Sequence, residues 1–202
     1  MKSLLLAGAV LLAPLNQNNP EWYDKPTQVN CIDGYVRTVK GRVLWQENRI
    51  ISAHATEQSV VYTPDGIGFT MNGDFHLFSN GRFRKGYSVN EQNFFTPDGI
   101  GVMVKGYVEL NANSRIVMCE LARETSLFIP DGTSRKFIGY VKFENNGRVT
   151  SGRVSQECSF FNSEGISITV PANHIAYLDT NGKLKYTRDS WSAEYRFEIN
   201  NE

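Results

Sequence analysis

Charged side chains recur in this chain at a fixed interval, so any chemistry would have to start from them. Acidic residues stand at Asp33, Asp65, Asp98, Asp131 and Glu164, with a step of 33 between successive members of the last four. A column of carboxylates could be imagined holding calcium, but stacked calcium repeats use a much shorter, glycine-rich period. Each acid here precedes glycine, as in Thr63-Pro64-Asp65-Gly66 and Thr96-Pro97-Asp98-Gly99. Aspartate in that place hydrogen-bonds the backbone of a tight turn, and turns are the role we assign. No metal or other cofactor is expected.

A basic ladder runs in parallel: Arg49, Arg82, Arg115, Arg148 and Lys183, each followed by an apolar residue. Lined up along one rim, these charges could meet a sulfated or phosphorylated polymer or a lipid headgroup. The plainer role is to keep the rim soluble and discourage strand pairing with other molecules. With 21 basic against 21 acidic residues, net charge is zero, which favours the plainer role and gives no reason to expect nucleic acid as a partner. Two further arginines, Arg37 and Arg135, share the parity of the apolar positions Tyr35, Trp45, Phe69, Phe75, Phe137 and Phe143. An arginine among aromatics could hold a carboxylate or phosphate headgroup. Otherwise each pairs with a buried acid or lies near an open end.

The histidines His54, His76 and His174 occupy different phases of the interval and read as scattered surface residues. The chain contains no Gly-x-Ser-x-Gly, phosphate loop or His-Glu-x-x-His, so a non-enzymatic protein is expected. Cys31, Cys119 and Cys158 form no Cys-x-x-Cys. One disulfide with one free thiol stays open, and Cys119, in the slot of Gly86 and Gly152, suits a small buried side chain.

The elements that position these residues follow from alternation. After each Asp-Gly, apolar side chains recur at every second place, as in Ile100, Val102, Val104, Val108 and Leu110, which is the period of a half-buried strand. Gly106 interrupts that face, as Gly41, Gly73 and Gly139 do in other copies, and a side-chain-free point lets a strand bend. The opposite face, with Lys105, Tyr107, Glu109 and Tyr140, suits water. Ser79-Asn80-Gly81, Asn145-Asn146-Gly147 and Thr180-Asn181-Gly182 mark a second set of turns, with Ala112-Asn113-Ser114 the least certain of them. In the last copy Ala172 replaces the glycine and the parity slips, which predicts a bulge. The expected fold is all-β: five hairpin repeats of 33 residues in a ten-strand antiparallel up-and-down meander, rolled or closed into a barrel, with a last return strand through Trp191, Tyr195, Phe197 and Ile199.

Residues 1–15 carry one lysine and then an apolar run, which reads as a signal peptide or as an apolar arm. The run is too short to span a bilayer, so no transmembrane span is expected there. Residues 16–30 read as a linker and 31–202 as the repeat domain. The rhythm of Tyr-Thr-Pro-Asp-Gly followed by a glycine seven residues on, as from Gly99 to Gly106, resembles MORN-like β-hairpin repeat proteins. That resemblance implies an antiparallel strand-turn-strand array whose members act as scaffolds or binding surfaces. The step of 33 is longer than the family's usual period, and no functional residue carries over. The expectation is a secreted or cell-envelope binding module with a protein, polymer or surface partner. The alternative is a carrier of a small amphipathic ligand inside a barrel, with Arg37 and Arg135 at its headgroup.

Overall fold

A computed structural model describes residues 20–189, so residues 1–15 and the predicted strand through Trp191 to Ile199 lie outside the described part. The strands are β1 (Glu21–Asn30), β2 (Val36–Gln46), β3 (Arg49–Tyr62), β4 (Gly68–Leu77), β5 (Phe83–Phe95), β6 (Gly101–Leu110) and β7 (Ile116–Phe128). They continue as β8 (Ser134–Phe143), β9 (Val149–Val154), β10 (Cys158–Phe161), β11 (Ser167–Val170), β12 (His174–Leu178) and β13 (Leu184–Asp189). Eleven of them form one antiparallel sheet in chain order from β1 to β9 and on to β12 and β13, while β10 and β11 make a separate ribbon. The expected linker is corrected from residue 21 onward: those residues are β1, paired along β2 from Glu21↔Val43 to Asn30↔Val36.

Of the two expected forms, rolled or closed into a barrel, the closed one is corrected. β1 and β13 stand at opposite ends of the strand order, so the sheet is open across its strands. It is rolled along them instead. Gly41, Gly73, Gly106 and Gly139 all have positive φ, between 63° and 93°, a conformation open to glycine at little cost. At each of these points three residues of one strand face a single residue of its neighbour: between Ala55↔Gly73 and Ser59↔Met71, and again between Ser88↔Gly106 and Gln92↔Val104. The strands therefore turn a corner there, and the sheet folds lengthwise into two wings with the apolar faces inside. Phe69 on one wing meets Phe83 on the other edge-to-face at 4.7 Å, and Val104, Val108, Phe137 and Val141 are fully buried between the wings.

Folding lengthwise brings the two rows of turns together in a seam. Parallel bridges join Cys31 to Ile50, Phe95 to Arg115 and Asn162 to Leu184, each linking opposite ends of the strands. Ser114 takes the place of the turn glycine, with φ 61°, and its hydroxyl accepts the Asp65 N–H at 2.7 Å across the seam. The least certain turn thus forms and is latched by the residue that made it uncertain.

Where the corner glycine is missing, the geometry changes. Residues 171–173 break the strand into β11 and β12 in place of the predicted bulge, and Asn173 takes the positive φ of 66°. Pro171 has no N–H for a ladder and Ala172 disfavours that φ, so pairing stops. All three cysteines are free thiols; Cys31 and Cys119 are buried, and Cys119 is the one in the slot that requires a small residue.

Candidate functional site

The structure separates the two inward arginines and employs one of them internally. Arg37 is 3% exposed, and its Nη1 and Nη2 donate to the two carboxylate oxygens of Asp33 at 2.7 and 2.5 Å. Nη2 also reaches the Val60 carbonyl at 3.1 Å, and the guanidinium lies 5.4 Å from the centre of the Phe75 ring. Its charge is balanced and both Nη groups are engaged, while its Nε is buried without a partner. Arg135 is half-buried over Phe160 at 5.6 Å and donates to the carbonyls of Ser134 and Ser159. It stands on β8, six strands from Arg37 on β2, which is roughly 29 Å along a sheet. The two do not share a site.

The basic ladder is part of the seam. Arg115, Arg148 and Lys183 lie over the rings of Phe95, Phe128 and Phe161, at 5.5, 4.9 and 5.4 Å. Each cation clasps the aromatic that precedes the acidic turn on the opposite edge. Arg82 lines a shallow recess with Tyr62, and Arg49 is exposed. The acidic ladder is engaged in turns: Asp98 accepts from the Thr96 hydroxyl at 2.5 Å, and Asp131 from the Thr133 N–H and hydroxyl at 2.8 and 2.6 Å. Among the described residues, no three His, Cys, Asp or Glu side chains are grouped to hold a metal ion.

Another concavity lies on the outer side of the sheet where β3 to β7 pass the corner. It is a cleft of about 170 Å³ whose chemistry comes from Asp74, His76, Lys85, Tyr87, Tyr107 and Glu109. Ser52 and Met118 close its ends. Asp74 and Tyr107 directly follow the corner glycines, so the corner itself aims them. Two rows of cross-strand pairs build the rest: Ser52↔His76, His76↔Lys85, Lys85↔Glu109 and Glu109↔Met118 in one, His54↔Asp74 and Tyr87↔Tyr107 in the other. Directly paired residues on one face are in side-chain contact range.

Tyr107 was expected to face water, but it is 5% exposed, because the corner turns both Tyr107 and Val108 into cover. Tyr140 is buried for the same reason. Burial and the Glu109 carboxylate, which accepts the Tyr107 hydroxyl at 3.3 Å, raise the phenol's pKa. Tyr87 packs edge-on against Tyr107 at 5.6 Å. His76 is not a scattered surface residue: its Nδ1 is buried without a hydrogen-bond partner. Burial first, then the charges of Arg84 and Lys85, lower its pKa to about 4, so the ring is neutral at pH 7.

The structure also joins His54 Nδ1 to Asp74 at 2.9 Å, on the open side of the cleft. A nucleophilic triad needs one histidine oriented by an acid and facing a hydroxyl. Here the acid holds His54, and among the hydrogen bonds of the described residues none joins the His54 ring to a hydroxyl. Among the described residues no helix is long and apolar enough to cross a membrane. Compared with known proteins, the chain matches no protein-family model and no curated protein.

Sequence reasoning missed the cleft because its residues break the repeat. The slots that hold Asp74 and Tyr107 hold Tyr140 in the next copy, and the slot of His76 becomes Glu109 and Lys142. Unlike side chains in matching slots, beside columns that do repeat, were the available signal.

Proposed function

We propose that the protein is a non-enzymatic extracytoplasmic structural and binding module, built from five β-hairpin repeats and related in rhythm to MORN-like arrays. The observation that carries this reading is the mid-sheet cleft, where aromatic and charged side chains converge on a rigid corner and one buried ring nitrogen lacks a partner. Hydrogen-bonding groups on a pre-formed apolar base are what small binding sites share. The apolar run in residues 1–15 supports export. The amphiphile carrier has less behind it, since Arg37 is closed by Asp33 and Phe75 fills the space beside it.

Replacing Lys85 and Tyr87 together by alanine is expected to abolish attachment of the protein to the surface or partner it meets outside the cell, with the sheet intact by circular dichroism. Undiminished attachment would remove the cleft from the function. Native mass spectrometry of protein recovered from its own cells provides the second arm. An amphipathic molecule released on unfolding would replace the module by the carrier.

A further inference from the structure

The cleft's composition narrows what it can hold. Its fixed charges are of both signs, and both carboxylates are already engaged, Asp74 with His54 and Glu109 with the Tyr107 hydroxyl. An anion would meet those two acids, and a cation would meet Lys85 with Arg84 beyond it. Neither sign of ligand gains a clean partner, so a neutral molecule is favoured. His76 lines the cleft, and its neutral imidazole, which carries both a donor and an acceptor nitrogen, suits a hydroxyl group. Tyr87, half-buried and edge-to-face with Tyr107, lines the cleft as an aromatic wall suited to a C–H surface. At about 170 Å³ the cleft is smaller than the roughly 300–1,000 Å³ of pockets for drug-sized ligands, so it takes one small ring.

Resting on the binding-module reading, we propose that this cleft is a carbohydrate subsite that seats a single pyranose ring of a neutral glycan, with Tyr87 against the sugar's C–H face and the neutral His76 ring hydrogen-bonded to one of its hydroxyls. The open side of the cleft lets the rest of a chain extend over the outer face of the sheet.

The test is an NMR titration of the full chain with cellotriose, chitotriose and maltotriose, using glucuronate and choline as anionic and cationic probes. Shifts centred on Tyr87, Tyr107 and His76 with a neutral trisaccharide are expected. Affinity should fall about ten-fold or more in Tyr87→Ala and in His76→Phe, each still folded by circular dichroism. Tyr87→Phe, which keeps the ring face, should retain binding. If none of the three trisaccharides moves these resonances, the proposal is overturned. If glucuronate or choline alone moves them, the glycan class is wrong and the cleft remains a binding site. If no probe binds and the Lys85 and Tyr87 double variant still attaches to its surface, the binding role of the cleft fails as well.

Discussion

The seam and the cleft are built on the same 33-residue interval and use it in opposite ways. Along the seam, matching slots hold matching chemistry: an acidic turn against a tight glycine or serine turn, and a cation over an aromatic ring, as Arg115 lies on Phe95 and Arg148 on Phe128. In the cleft, matching slots hold aspartate, tyrosine, histidine and glutamate. A fold that closes by repeating one contact tolerates little change where that contact is made. On the outer face beside each corner, the backbone is already held and the side chain is free to differ. Architecture therefore resides in the columns that repeat, and the cleft in those that do not.

That division can be broken by experiment. The largest effect is expected from Arg37→Met, which strands the buried Asp33 carboxylate beside the first turn of the seam. Leaving one partner of a buried pair uncompensated costs about 3–5 kcal/mol. A urea melt should show the unfolding free energy fall by that amount, while ligand titration of the surviving folded protein is unchanged. A loss of binding with unaltered stability would reverse the roles assigned to seam and cleft.

Gly182→Ala comes next. Gly182 has φ 76°, and a Cβ there would lie 2.6 Å from the Asp131 nitrogen. Strain and overpacking together should cost about 2–4 kcal/mol. Gly165→Ala is the matched control, because its φ is 79° but nothing lies within 4 Å of a Cβ. It should show the strain alone, about 1–2 kcal/mol. Equal losses in the two variants would mean that the seam contact adds nothing.

The cleft makes its own prediction through His76. Its folded pKa, lowered to about 4, lies below the 6.5 of an exposed histidine, so between these values the unfolded chain binds more protons. This contribution to stability is complete above pH 6.5 and is lost as pH falls toward 4. Thermal melts should show a decline from pH 7 to pH 5 that is shallower in His76→Gln, and equal slopes would place the ring in water. The smallest effect is expected from Arg148→Ala. Losing one cation–π clasp at the seam should cost about 0.5–1 kcal/mol in a urea melt, and a cost near zero would return this ladder to a solubility role.

Much of the fold was legible because it depends on local chemistry. Alternation marked the strands, Asp-Gly and Asn-Gly marked the turns, and the missing glycine at Ala172 marked the one place where a strand would not run true. β1 was not legible, since its exposed and interrupted pattern, with Pro26 within it, reads as linker until β2 is there to pair with it. Nor were the partners of the ladders. Arg148 and Phe128 are each visible in sequence, but only a sheet folded along its strands places the start of one hairpin over the end of another.

By itself, then, the sequence determined an antiparallel, up-and-down all-β chain with bends at its glycine column, because side-chain alternation and backbone φ are properties of single residues and their neighbours. The tertiary structure alone decided the axis about which those bends add up. Corners in register on adjacent strands crease the whole sheet, so it closes turn against turn and leaves its edge strands apart. The same crease brought Asp74, His76, Tyr87, Tyr107 and Glu109 to one cleft. Their meeting depends on the register of three strands, β4 to β6, and no spacing along the chain encodes it.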